Sequence, residues 1–289
     1  MNGEVPTETT PRRTGELWEI SPELRVVVAE NPGPLTLDGT RTYVVGLTHL
    51  AIVDPGPAQP THLRRVIDAV EGRPVGRICL THAHPDHAAG AAEAAEALHA
   101  GLCASAETLG RLNLPGDAVQ EGEELPLDAG SGGSLRVVET PGHSADSLSY
   151  LWLPSRKLFT GDLVLGGGTS VVVHPDGAVG PYLASLAKLI ALRPSVILPG
   201  HGEPVEEPIR RLEGYRRHRI EREREIRAAV RGGLVALGEI RHRVYGDLPE
   251  ELERAAELSI LAHLLHLAEA GEALPQPLRA AVDGRSLPE

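Results

Sequence analysis

Leu80-Thr81-His82-Ala83-His84-Pro85-Asp86-His87-Ala88-Ala89-Gly90 sets three histidines and one aspartate within six consecutive positions. That density points to a metal site. Val75 to Leu80, just upstream, reads as a short buried strand, and the Ala- and Glu-rich sequence from Ala88 onward reads as a helix. The cluster therefore lies on a strand-to-helix loop facing a cleft. In an extended backbone His82 and His84 point the same way, while the turn at Pro85 re-aims Asp86 and His87 toward a second point nearby. A catalytic zinc usually takes three protein ligands and leaves a position for water, so four donors in one loop suggest two ions. The rest of the chain must then supply further donors at loop ends.

Three later segments meet that requirement: Thr140-Pro141-Gly142-His143-Ser144, Phe159-Thr160-Gly161-Asp162-Leu163 and Ile197-Leu198-Pro199-Gly200-His201-Gly202. Each follows an apolar run and enters a turn among Gly or Pro, as a strand end does. Taken singly, each polar residue is an ordinary turn residue. The ordered set, with every member at a strand-to-loop junction, is not. The pattern resembles the metallo-β-lactamase superfamily, which implies an α/β fold: a four-layer αββα sandwich with a metal centre at one edge of two packed sheets. The resemblance assigns His82, His84 and His143 to a first metal, Asp86, His87 and His201 to a second, and Asp162 to the bridge between them. Antibiotic-hydrolysing members usually replace some of these positions, so the full set implies the glyoxalase-II-like and ribonuclease-like branches.

At 289 residues, 41% of them hydrophobic, the chain can bury one sizeable core and a smaller second one. Aromatics make up only 3%, so aliphatic residues must fill that core, with Trp18 and Trp152 as packing or surface residues. No run is long and apolar enough to span a membrane. Met1 to Arg13 lacks an apolar h-region and reads as a disordered lead-in, which places the protein in the cytoplasm. Cys79 and Cys103 lie in apolar surroundings and read as reduced core residues. A composition change at Pro208 divides the chain into a catalytic domain, residues 14–208, and a helical domain, residues 209–289.

Leu24 to Ala29, Thr42 to Val45 and Leu50 to Val53 read as an antiparallel opening sheet. Asn31-Pro32-Gly33-Pro34-Leu35-Thr36-Leu37-Asp38-Gly39-Thr40 resembles a narrower subfamily, beta-lactamase-like proteins that include a single-strand endoribonuclease and polyketide-releasing thioesterases. Arg41 stands where members usually carry Asn, and reads either as a positive charge near the substrate or as an exposed hairpin residue. Gly130 to Ser134 reads as a hairpin tip, Tyr182 to Leu192 as a helix, and Leu102 to Ala106 as a strand. His174 and Tyr182 are further candidates for substrate contact, with a plain loop imidazole and a helix-start aromatic as the alternatives. Ile209 to Arg231, with nine Arg and four Glu, is a long helix in which Glu213 and Arg217, and Glu223 and Arg227, are spaced to pair. Val235 to Tyr245 and Pro249 to Ala270 are helices too, the latter with an apolar stripe of Leu258, Leu261, Leu265 and Ala268. Tyr215-Arg216-Arg217-His218-Arg219 resembles the entry to the subfamily's small winged-helix-like domain. His62, His263 and His266 are read as solvated helix residues.

The 28 basic and 40 acidic residues divide unevenly: from Arg210 onward there are 14 of each, leaving 14 basic against 26 acidic before it. Nucleic-acid binders draw affinity from phosphate contacts, so an acidic catalytic domain weakens a ribonuclease reading without excluding it. The expected chemistry is hydrolysis by a hydroxide held between two divalent ions, with Asp86 ligating the second ion and orienting that nucleophile. Zinc is the expected metal, although iron or manganese also suits mixed His and Asp donors. The expected substrate is a small molecule carrying a thioester or related ester. Single-stranded RNA is the alternative, and sulfur oxygenation at one iron a further one.

Overall fold

Val26 and Val27 are neighbours on one strand, point to opposite faces and are both buried, so the sheet must be covered on each side. The computed structural model describes Gly15 and residues 17–127 and 133–284. The expected lead-in, Met1 to Arg13, and most of the Gly130 to Ser134 turn lie outside the described residues.

The first half runs β1 (Leu17–Ser21), β2 (Leu24–Val28), β3 (Arg41–Val45), β4 (Leu50–Val53), α1 (Pro60–Val70), β5 (Val75–Cys79), α2 (Pro85–Ala88), α3 (Ala91–Leu98), β6 (Gly101–Ala104), α4 (Ala106–Leu112) and β7 (Asp117–Ala118). The second half runs β8 (Glu124–Pro126), β9 (Ser134–Glu139), β10 (Leu148–Leu153), β11 (Lys157–Gly161), α5 (Val179–Leu192) and β12 (Val196–Pro199). Four helices follow: α6 (Pro208–Arg231), α7 (Leu237–Tyr245), α8 (Glu250–Glu269) and α9 (Gln276–Val282).

β1 to β7 form one sheet in chain order, antiparallel through β4 and parallel from there on; the second has order β12-β11-β10-β9-β8, with only β11 and β12 parallel. Between the sheets, Val26, Tyr43 and Val53 meet Val137, Tyr150 and Phe159, and the Tyr43 and Phe159 rings lie 5.1 Å apart. Outside the first sheet, Val66 of α1 and Ala91 and Ala94 of α3 cover Val44, Ile52 and Ile78. Outside the second, Tyr182, Leu186 and Leu189 of α5 cover Leu158 and Ile197. This is the four-layer sandwich, followed by a small helical domain. Cys79 and Cys103 are buried and reduced, as expected.

Helix α6 joins the two parts: Leu212 and Tyr215 complete the outer core of the sandwich, while Ile226 and Ala229 enter a separate core with α7, α8 and α9. Of the two pairs expected on α6, Arg227 and Glu223 form one at 3.1 Å. Several local expectations need correction. The strand expected to reach Ala106 ends at Ala104, because Ser105 caps α4 by accepting from the Thr108 N–H at 3.0 Å. Helix α5 starts at Val179 rather than Tyr182, since Pro181 fits a first helical turn. His62 is not solvated: it is buried and lies 2.8 Å from Thr42 Oγ1. His263 is fully buried, because α8 is enclosed on several sides and buries Ile260, Leu261, Ala262, His263 and Leu264 in succession. The expected stripe on α8 is accordingly not its main packing face.

Candidate metal centre

Four strands that end at this edge of the sandwich, β5, β9, β11 and β12, lead into the candidate donors. The β5-to-α3 segment carries His82, His84, Asp86 and His87; His143 follows β9, Asp162 follows β11 and His201 follows β12. Asp54, which follows β4, was missed by sequence reasoning. Its Oδ1 accepts from the Thr81 N–H, and its Oδ2 accepts from Thr81 Oγ1 at 2.7 Å and from His87 Nδ1 at 2.8 Å. It adopts φ 51°, a conformation that Asp tolerates better than most residues. The available signal was its position: an acid at a strand end before Pro and Gly, like the other donors.

The side chains converge as two groups, His82, His84 and His143, and Asp86, His87, His201 and Asp162. Outward hydrogen bonds determine which nitrogens face inward. His143 Nδ1 donates to the Val171 carbonyl at 2.8 Å, and His201 Nδ1 donates to the Gly39 carbonyl at 3.2 Å. Asp54 takes the His87 Nδ1 proton, and His84 Nε2 faces Asp176 Oδ2 at 3.2 Å. With those protons held outward, His84 Nδ1 and His143 Nε2 face each other at 3.1 Å, and His87 Nε2 and His201 Nε2 do so at 3.3 Å. Facing lone pairs repel unless a proton or a metal cation lies between them. His82 Nε2 and Asp162 Oδ1 are moreover buried without a hydrogen-bond partner, as atoms reserved for a metal would be. The donor set thus fits divalent ions.

Asp162 lies between the groups, with Oδ1 3.2 Å from His87 Nε2 and 3.3 Å from His201 Nε2, and Oδ2 3.8 Å from His143 Nε2. Gly200 permits this approach, since a Cβ there would come within 2.5 Å of His87 Cε1 and 2.7 Å of Asp162 Oδ1. Electrostatics reflect the crowding. Burial opposes the charged forms of His87 and His201, but the Asp162 carboxylate outweighs it, holding His87 well above its ordinary pKa and His201 at about 9. Burial likewise opposes ionisation of Asp86, yet the His201 hydrogen bond lowers its pKa to about 2. In His82 burial and the neighbouring imidazoles both favour the neutral form, the form that ligates.

The three residues expected beside substrate fare differently. Arg41 is 1% exposed and is held by Asp38 at 2.8 Å and Glu203 at 3.2 Å, so it offers no free charge. Tyr182 is fully buried and donates its hydroxyl to the Leu163 carbonyl. Neither side chain lies at a surface that substrate could touch. His174 is half-buried, on the segment leading to Asp176, with its backbone N–H bonded to the Leu258 carbonyl of α8.

Two packed sheets flanked by helices, with a His and Asp centre at one edge, define a metal-site α/β sandwich. Residues 35–201 match the model of the metallo-beta-lactamase superfamily, and residues 237–275 match the beta-lactamase associated winged helix domain. The chain belongs to the metallo-beta-lactamase superfamily. It is 32% identical to a beta-lactamase-like protein 2 homolog of Drosophila melanogaster, over 84% of this chain and 86% of that one. It is 31% identical to the lactamase-like protein aptB of Emericella nidulans, over 84% and 80%. A beta-lactamase domain protein from Burkholderia ambifaria superposes with a TM-score of 0.78 at 23% identity, covering 92% of each chain.

Proposed function

We propose that this chain is a metal-dependent hydrolase that uses two divalent ions, zinc by preference, to cleave a thioester or related ester. The observation that carries this reading is Asp162, whose two oxygens face separate donor groups. Two ions held there would acidify a water toward neutral pH and polarise the carbonyl it attacks. The chain's own residues do the rest. His82, His84 and His143 would hold one ion, and Asp86, His87 and His201 the other, with Asp162 shared. Asp86, ionised at neutral pH and 3.3 Å from Thr40 Oγ1, would orient the attacking water by accepting its hydrogen bond. No Ser, Cys or Lys nucleophile is needed.

Charge and stacking surface favour an ester over RNA. The domain before Arg210 is acidic, and Arg41, the one cation expected beside the centre, is neutralised by two carboxylates. Tyr43, Tyr150, Tyr182, Tyr215, Phe159 and Trp152 are all buried, so they offer no platform for bases. The deciding assay compares a panel of acyl thioesters with labelled single-stranded RNA at low and moderate salt, with His84→Ala as control. Thioester turnover lost in the control is the expected result. Salt-sensitive RNA cleavage lost in the control, without thioester turnover, would overturn the substrate class. A single bound iron with oxygen uptake would overturn the hydrolase reading.

A further inference from the structure

We propose that Arg219, on the first helix of the C-terminal domain, is a positioning residue for the metal centre, acting through Ser170 on Asp162 and His143. Arg219 is 3% exposed, and no ion pair satisfies it among the described residues. Burying a guanidinium without a carboxylate is costly unless its hydrogen bonds serve something specific. Here Nη2 donates to the Ser170 carbonyl, and the guanidinium stacks over the Tyr182 ring at 5.2 Å. Ser170 Oγ in turn donates to the Asp162 carbonyl at 2.6 Å and lies 3.4 Å from His143 Nδ1. The next residue, Val171, supplies the carbonyl that orients His143. One guanidinium therefore bears on the segment that both carries the shared carboxylate and sets an imidazole of the first group.

Arg219 does not act alone. Arg211, Tyr215 and Arg219 recur every fourth residue and so share one face of α6. Arg211 donates to the Leu165 carbonyl at 2.9 Å, and Tyr215 Oη accepts from the Leu165 N–H at 3.1 Å and donates to the Gly168 carbonyl at 3.2 Å. The segment so gripped contains Gly166-Gly167-Gly168, which has no side chains with which to fix itself. Order in the loop comes from the helix, and order in the centre comes from the loop.

The test is metal retention by the full-length protein, loaded with zinc, titrated with a chelator and counted by elemental analysis. Arg219→Ala and Ser170→Ala should each release metal at a roughly 10- to 100-fold lower chelator concentration, the usual effect of losing a group that orients a ligand. Arg219→Lys should fall between them and the unaltered chain. Arg227→Ala, whose guanidinium pairs with Glu223 and Glu272 instead, should retain metal normally. Thermal unfolding of each metal-free variant supplies the second readout: a merely structural role would lower the midpoint and leave metal retention unchanged. Normal retention in Arg219→Ala would overturn the proposal, as would normal retention in both Arg219→Lys and Ser170→Ala where Arg219→Ala does not fold. The proposal rests on the metal-dependent reading above, and failure of the unaltered chain to take up metal would overturn that reading instead.

Discussion

Asp54 Oδ2 accepts a hydrogen bond from His87 Nδ1 at 2.8 Å, and both side chains are sealed from solvent. The same carboxylate takes the N–H and the hydroxyl of Thr81, so three buried donors depend on it. Asp54→Ala should lower stability by several kcal/mol, since each orphaned donor costs about 1–3 kcal/mol. Asp54→Asn keeps the volume but turns an acceptor into a donor. On the two-ion reading, it should weaken the ion that His87 would hold more than the one that His82 would hold. Elemental analysis would contradict this if the Asn variant held both ions as firmly as the unaltered chain.

Gly200 packs directly against two of the candidate donors. A methyl group there would overlap His87 Cε1 and Asp162 Oδ1, both of which are tightly held. Gly200→Ala should therefore weaken metal binding by one or more orders of magnitude, of the order seen when ligand orientation is lost, about 10- to 100-fold. The metal-free fold should be retained, because the clash falls on donors rather than on the apolar core. Full metal occupancy in this variant at limiting zinc would count against the geometry.

Asp162→Ala removes the one carboxylate that faces both donor groups. Activity should fall by roughly 100-fold or more, with a smaller change in the unfolding midpoint of the metal-free chain. Turnover near that of the unaltered enzyme would rule out a shared role.

The donors were legible because chemistry constrained them twice, by residue type and by position at strand ends. His82, His84, Asp86, His87, His143, Asp162 and His201 converge for that reason. Asp54 escaped because a lone acid before Pro-Gly carries no spacing signal; only the partner imidazole gives it meaning. Arg41 and Tyr182 show the opposite case. Their types suit substrate contact, but Asp38 and Glu203 enclose one and the α5 packing face encloses the other. Burial on α8 was misread because its apolar pattern implies one face, whereas α5, α6, α7 and α9 surround it. The short elements α4, β7, β8 and α9 have too few residues to show a period.

His263 makes stability depend on pH. It is fully buried, neither ring nitrogen has a hydrogen-bond partner, and burial reinforced by Arg219, His266, Arg222 and His218 holds its pKa down at about 3. The unfolded chain would protonate this residue near its ordinary value of 6.5, so between pH 6.5 and 3 the unfolded state binds the extra proton. Stability is unaffected above that window and falls as pH drops through it. The loss near pH 4 is on the order of 3 kcal/mol, at about 1.4 kcal/mol per pKa unit. His263→Leu, followed by denaturant titration of the metal-free protein from pH 7 to 4, should show a shallower decline. An identical slope would mean that other groups govern the acid limb.

Removing the chain from Pro208 onward tests whether the C-terminal domain is an accessory or part of the fold. Among the described residues no candidate donor lies beyond His201, which suggests an intact centre with impaired substrate handling. Packing argues otherwise. Leu212, Tyr215 and Ala262 are buried in the same cluster as Leu158, Ile197 and Leu186 of the sandwich. Their loss would bare apolar surface worth about 25 cal/mol per Å² and free the Gly166 to Gly168 segment that α6 grips. The truncated chain should express largely as aggregate, and any soluble fraction should release zinc to a chelator more readily than the full-length protein. A soluble, monomeric fragment with unchanged metal retention would show that the sandwich needs no cover from α6.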